Sequence, residues 1–424
     1  MKNILFPILF SIFFLLIDAY AFKGIRQLTH QWPQQVKRII TFVYWTPTVI
    51  MVILFVMMIM TAQMGNGKPP EWFMNIMSWI FVLGITKFTF SVFHFSSDIL
   101  NGFRWIWFKW FAQRQEVQEG MSRIQFLNQL GLGVSTLMFG SFVYGMLKGK
   151  YNFQIRRESI VFPNLPKGFD GMKLVQISDA HLGTFGPGEV EDVRPAIQLI
   201  MQEKPDIIVF TGDLVNNLAE EAEPFIDLFA EMTAPLGKFS IFGNHDYARY
   251  VYRDESEESI QRRAENRVRF EEIHREMGFD LIKNQSRVLE RNGDRMALIG
   301  IENWGRNFFQ YGDLEAALSQ VDEGSFQLLL SHDPTHFEEQ VLGKKNISLT
   351  LSGHTHGAQF GVEVPEWGIK WSPSKWFGYK RWGGLYQEGN QYLYVNRGLG
   401  CLGFPGRVGI HPEITVIELK SGNV

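Results

Sequence analysis

The residues in this sequence best suited to chemistry come in five short groups: Asp179-Ala180-His181, Gly212-Asp213, Gly243-Asn244-His245-Asp246, His332-Asp333 and Gly353-His354-Thr355-His356. Five of the ten histidines fall in them. One His or Asp at a strand end is more often a cap or turn residue than a ligand. Burying this many ionisable groups together without a cation is costly, because like charges repel and each group loses its water. A pair of divalent cations turns that cost into binding. Imidazole and carboxylate donors without thiolate suit Mn, Fe or Zn rather than copper or an iron–sulfur cluster. The single cysteine, Cys401, excludes both an intramolecular disulfide framework and a thiolate zinc cluster.

Each group follows a short apolar run. MKLVQIS (172–178), PDIIVFTG (205–212), GKFSIFG (237–243), FQLLLS (326–331) and ISLTLSG (347–353) lead into the five groups in turn, and RMALIGI (295–301), YLYVNRG and ITVIEL add further strands. Helical patterns lie between several of them, including EVEDVRPAIQLIMQEK and SIQRRAENRVRFEEIHREMG. Strands alternating with helices predict an α/β domain whose strands are buried on both faces. In such sheets ligands bind at the carboxyl ends of strands, so all five groups are expected on one rim.

Taken together and in this order, the five groups resemble those of the calcineurin-like metallophosphoesterases, over roughly residues 170–420. The resemblance implies a four-layer α/β/β/α sandwich and two divalent metal ions. One ion would be held by Asp179, His181, Asp213 and His356, the other by Asp213, Asn244, His332 and His354. Asp213 would then bridge the ions, one oxygen to each, and a metal-activated hydroxide would attack phosphorus. His245 would protonate the leaving oxygen or stabilise its charge; its alternative role is to orient a neighbour. The protein serine/threonine phosphatases carry GDxxDRG and GNHE, whereas this chain has Asn216, Asn217 and an Asn-His-Asp. A protein phosphatase of that branch is therefore not expected. Arg397 and Arg407, near the C-terminal glycine-rich loops, are candidates to hold substrate, with ordinary surface arginines as the alternative.

The first 150 residues read differently. Residues 4–22, 39–62, 72–93 and 126–147 approach or exceed the ~18 to 20 apolar residues needed to cross a bilayer, and Asp18 and Lys87 are the only charges inside them. The expected organisation is a bundle of about four transmembrane helices over residues 1–150 and a catalytic domain over 151–424. The first segment could instead be a cleaved signal peptide, with Ala19-Tyr20-Ala21 as the processing site. The 23–38 and 94–125 loops each hold four Lys or Arg, counting Lys23, Arg26, Lys37, Arg38 and then Arg104, Lys109, Arg114, Arg123. The positive-inside rule puts both in the cytoplasm and the catalytic domain outside it, in a multi-pass cell (inner) membrane protein. Lys148, Lys150, Arg156 and Arg157 argue the other way. WIWFKWFAQRQ (105–115) reads as an interfacial helix or an amphipathic connector.

The near-neutral balance of 41 basic and 44 acidic residues excludes an electrostatic nucleic-acid partner. Residues 362–387 interleave Trp367, Trp371, Trp376, Phe377, Tyr379 and Trp382 with Lys370, Lys375, Lys380 and Arg381, a mixture suited to lipid headgroups or to covering a sheet edge. The expected function is a membrane-tethered, dinuclear-metal hydrolase of a phosphoester or pyrophosphate, with a phosphorylated small-molecule or lipid substrate. The alternatives are a phosphodiesterase acting on a soluble or cyclic nucleotide, and a non-catalytic membrane scaffold.

Overall fold

The computed structural model describes residues 5–64, 71–111 and 123–422 and divides into two compact units, Met1–Tyr144 and Gly145–Val424. The first is built from helices α1 (Leu5–Leu28), α2 (Gln34–Met64), α3 (Glu71–Phe111) and α4 (Arg123–Leu147). Among the described residues three helical stretches are long and apolar enough to span a bilayer: Gln34–Phe55, Ile76–Trp107 and Gln125–Leu147. The expected first span, 4–22, overlaps α1 and begins in residues outside the described ones; the other three expected spans each overlap one of these stretches. Residues 105–111 of the expected interfacial segment continue α3 without a break, and 112–115 lie outside the described residues.

The two charges inside the apolar stretches find each other. Lys87 of α3 donates to Asp18 of α1 at 2.8 Å and to Thr48 of α2 at 2.7 Å, and its ammonium lies 4.4 Å from the centroid of the Tyr44 ring. Thr48 also donates to Asp18. A charge in hydrocarbon is tolerated when paired within the bundle, so this contact ties three helices together. Deeper along α3, buried His94 meets Asn128 of α4 at 3.0 Å.

The second unit holds two six-stranded sheets. The first runs β1 (Gln154–Phe162), β14 (Glu413–Ser421), β2 (Met172–Ile177), β3 (Ile207–Phe210), β4 (Lys238–Ser240) and β5 (Asp280–Leu281); the second runs β12 (Gly384–Glu388), β13 (Gln391–Val395), β9 (Leu349–Ser352), β8 (Gln327–Leu330), β7 (Asp294–Gly300) and β6 (Gln285–Arg291). A small hairpin joins β10 (Val362–Val364) to β11 (Ile369–Trp371). Strands β2, β3 and β4 are mutually parallel, as are β7, β8, β9 and β13. The sheets are mixed, because β14 runs antiparallel to β2 and β6 antiparallel to β7.

Strands β3, β8 and β9 are buried along their whole length, which is why their sequences are apolar runs rather than alternating ones. One core, with Leu174, Val209, Leu328 and Leu351, lies between the sheets. A second packs α5 (Val190–Gln202), α6 (Ile226–Ala230) and α7 (Glu257–Glu276) on the first sheet, and a third packs α8 (Leu314–Leu318) on the second. In α5 the buried residues Val193, Ala196, Ile197 and Ile200 follow helical spacing. Helix α7 starts at Ser256, whose hydroxyl accepts from the Ser259 amide, and carries Glu257 and Glu258 in its first turn.

Near its other end α7 buries His274 among the rings of Phe210, Phe242, Phe270 and Phe279. Burial pushes this imidazole down to about 3. The unfolded chain takes up that proton below about 6.5 and the folded chain does not, so stability falls as pH drops from there. His274→Phe should shrink the stability lost between pH 7 and pH 5 by about 2 kcal/mol. Equal loss of melting midpoint in the two proteins would refute this.

Candidate dinuclear metal site

The five groups expected on one rim do share one, but it is a rim of two sheets. Asp179 and His181 follow β2, Asp213 follows β3, and Asn244-His245-Asp246 follows β4, all on the first sheet. His332 follows β8, and His354 and His356 follow β9, on the second. Hydrogen bonds stitch the two edges. His332 Nδ1 lies 2.7 Å from the Thr211 carbonyl, and the His354 amide donates to both carboxylate oxygens of Asp179 at 3.0 and 2.9 Å. Gln176 of β2 donates to the Ser352 carbonyl at 2.8 Å. Two glycines allow the approach: a Cβ on Gly353 would collide with Ser178 and Asp179, and one on Gly243 with Asp213.

The donors fall into two sets, each with its ligand atoms within 4.8 Å of one another: Asp179, His181 and His356, all buried, and Asp213, His332 and the half-buried His354. In the first, Nε2 of His181 and Nε2 of His356 face each other at 3.0 Å, and His356 Nε2 lies 3.2 Å from Asp179. In the second, His354 Nδ1 faces His332 Nε2 at 3.2 Å, while His354 Nε2 points away to the Tyr379 hydroxyl at 2.7 Å. Asp213 Oδ2 reaches both sets, 3.1 Å from His332 Nε2 and 3.6 Å from His181 Nε2. Its other oxygen, Oδ1, accepts the His245 amide at 2.8 Å. Asp213 was expected to offer one oxygen to each ion; in the structure Oδ2 is the oxygen that faces histidines of both sets.

The donor set fits two divalent cations. Two pairs of imidazole nitrogens face each other, His181 Nε2 with His356 Nε2 and His354 Nδ1 with His332 Nε2, where each pair could share a cation. Asn244 donates through Nδ2 to the Tyr250 hydroxyl at 2.8 Å, and its Oδ1 is buried without a hydrogen-bond partner. A buried amide oxygen left so costs stability unless something electropositive meets it. The backbone tells the same story. Asp179, His181, Asp213, His354 and His356 all have positive φ, between 43° and 68°. Such strain in non-glycine residues clusters where function demands it.

Without cations the charges share out unevenly. Burial favours neutral His181, His354 and His356 and lowers all three. Burial opposes a charge on His332 too, but the Asp213 carboxylate beside it holds this imidazole up to about 10. Neighbouring histidines overcome burial at Asp179 and Asp213 and keep both carboxyls below their usual range.

His245 is half-buried. Its Nδ1 lies 2.6 Å from the Asn216 carbonyl, so that nitrogen carries the proton and Nε2 is free. Asp246, assigned no role from sequence, accepts the amides of Gly243, Asp213 and Leu214 at 2.8 to 2.9 Å and locks the β3 and β4 exits together. Burial and the adjacent Asp213 push its carboxyl up to about 8. Its place in the Asn-His-Asp group was the one available signal. Tyr379 gave none, because its contact with His354 depends on how the 362–387 segment folds back.

The expectation that Arg397 and Arg407 hold substrate is corrected. Arg397 is buried and ion-paired with Glu363 and Glu413. Arg407 is buried with its donors on the carbonyls of His356, Arg397, Gly398 and Gly400. Neither offers a free edge to a phosphate, because both guanidiniums are spent on holding the C-terminal loops.

An α/β unit that gathers seven oxygen and nitrogen donors on the joined rims of two sheets is the framework of a metal-dependent phosphoesterase. Residues 172–358 match the family described as "Calcineurin-like phosphoesterase", and residues 1–150 match "Probable Calcineurin-like phosphoesterase, transmembrane domain". The chain belongs to the calcineurin-like metallophosphoesterases. It is 32% identical over 311 residues to "Uncharacterized metallophosphoesterase YkuE" of Bacillus subtilis, covering 72% of this chain and 99% of that one. It is 28% identical to "Transmembrane protein with metallophosphoesterase domain" of Danio rerio, covering 66% of this chain and 60% of the relative. It is 30% identical to "UDP-2,3-diacylglucosamine pyrophosphatase LpxG" of Chlamydia trachomatis, covering 56% and 81%.

Proposed function

We propose that the chain is a membrane-anchored phosphohydrolase that uses two divalent cations to cleave a phosphoester or pyrophosphate bond, and that its substrate is carried by a lipid. The observation that carries the chemistry is Asp213 Oδ2 lying within 3.1 and 3.6 Å of histidines from both donor sets. Asp179, His181, Asp213 and His356 would hold one cation; Asp213, Asn244, His332 and His354 would hold the other. When bound, such a pair neutralises phosphoryl oxygens and makes water acidic enough to act as nucleophile near neutral pH. His245, with Nδ1 engaged, keeps Nε2 for the leaving oxygen. Asp246 and the Thr211 carbonyl hold the donors in place. The three stacked cores are read as a four-layer α/β/β/α sandwich, and the basic 23–38 and 94–125 segments as the cytoplasmic side, with the catalytic unit outside.

The lipid-linked class is supported by the apolar helices of the first unit and by the pyrophosphatase name of the Chlamydia trachomatis relative. The test is metal analysis of the purified chain in detergent, then turnover with added Mn of lipid pyrophosphates, phospholipids, nucleotides and an aryl phosphodiester. A lipid pyrophosphate is expected to exceed the aryl ester at least tenfold in kcat/KM. Turnover confined to nucleotides would sink the lipid class and leave the metal chemistry standing. No bound metal and no turnover would sink both.

A further inference from the structure

Residues 362–380 hang from the rim that carries the two histidines of β9 and are tied to it from within. The Ser372 hydroxyl donates to the Gly357 carbonyl at 2.6 Å, and Tyr379 reaches His354 Nε2 at 2.7 Å. Between these ties the chain makes the β10–β11 hairpin and a short 3-10 turn, Pro373–Phe377, which Gly378 ends at φ 90°. The opposite side of this segment is apolar and open to solvent. Trp367 is 77% exposed, Trp376 74% and Phe377 69%, and the Trp371 and Trp376 rings pack edge to face at 5.5 Å. Monomeric soluble surfaces rarely leave aromatic rings clustered like this unless something covers them.

The cations beside the rings say what covers them. Lys375 and Lys380 are exposed and make no ion pair among the described residues. Amphipathic rings interleaved with unpaired lysines match the headgroup layer of a bilayer, where rings sit among the glycerol and carbonyl groups and ammoniums meet lipid phosphates. A protein interface would deplete lysine instead. The bilayer is also always at hand, since the same chain carries spans of 22, 32 and 23 residues.

We propose that residues 362–380 form a docking surface for an anionic lipid bilayer, with Trp367, Trp376 and Phe377 entering the headgroup layer and Lys375 and Lys380 binding lipid phosphates. Docking there brings the side of the metal site that Tyr379 touches, at His354, toward the membrane surface. The inference does not depend on which phosphate ester is cleaved, and it stands or falls separately from the lipid-linked substrate.

The test uses the full chain in nanodiscs at one copy per disc. Cys401, the single native cysteine, is fully buried, so Trp376→Cys accepts an environment-sensitive fluorophore selectively. In discs with 30% anionic lipid the probe is expected to shift to the blue and to resist iodide at least threefold better than in detergent. A second probe at Arg295→Cys, exposed at the start of β7, should stay fully quenched. Adding Lys375→Glu and Lys380→Glu should abolish most of the protection, with metal content and melting midpoint unchanged. Equal quenching at 376 in discs and detergent overturns the proposal. So does protection that appears only with two copies per disc, which would make the surface a contact between chains.

Discussion

Asp213→Asn is expected to strip the chain of both cations and lower kcat/KM by at least ~1,000-fold. The substitution keeps size and shape, and the new carbonyl can still accept the His245 amide as Oδ1 does at 2.8 Å. What it removes is the charge on the one oxygen that faces both donor sets. A unit charge pair 4 Å apart near a protein surface is worth about 4 kcal/mol, which is ~1,000-fold in affinity, and a dication gains more. An amide NH2 in that position would also aim donors at cations. Metal analysis of the purified variant should fall from two equivalents to below one, while its circular dichroism stays that of the parent. Two retained equivalents with near-parental turnover would make Asp213 a structural carboxylate and break the proposed site.

His245→Ala should behave in the opposite way. The histidine amide that holds Asp213 Oδ1 belongs to the backbone and survives the change. Both donor sets remain, so two equivalents of metal should stay bound. Turnover should drop by about 100- to 10,000-fold, the range for losing a positioned proton donor. The loss should shrink for substrates whose leaving group needs no proton, such as a nitrophenolate. Parallel loss of metal and activity would instead place His245 among the ligands. Together the two variants separate what holds the cations from what moves the proton.

How much of this was legible beforehand depended on whether a residue's job is local. Buried strands such as IIVF of β3 and LTLS of β9 announce themselves, because burial on both faces demands an apolar run. The donors were legible because they sit directly after those runs. β1 was not foreseen: QIRRESIVF is an edge strand that carries three consecutive charged residues, and its one partner in the sheet is distant β14. The oxygen that faces both sets, the Asn216 carbonyl under His245 and the Tyr379 contact were equally hidden. Each depends on a side-chain rotamer or a backbone carbonyl that no residue type encodes. The two arginines misled for a related reason: a guanidinium in a glycine-rich loop looks free in sequence, and only the folded loop shows its partners. In the first unit, Asp18 and Lys87 stood out as isolated charges, and their mutual pairing became visible only once α1 and α3 lay side by side.

The five positive-φ residues carry a consequence for how the protein breathes. Each is held in a conformation that a side chain disfavours by roughly 1 kcal/mol or more, and what opposes that preference is the contact made at the rim. Amide hydrogen exchange should therefore divide the catalytic unit into a slow interior and a rim whose protection rises and falls with cation occupancy. Chelation would loosen the strand exits long before it melts the sheets, and the cations would act as the clasp that keeps the two sheets in register at one end of the core they share.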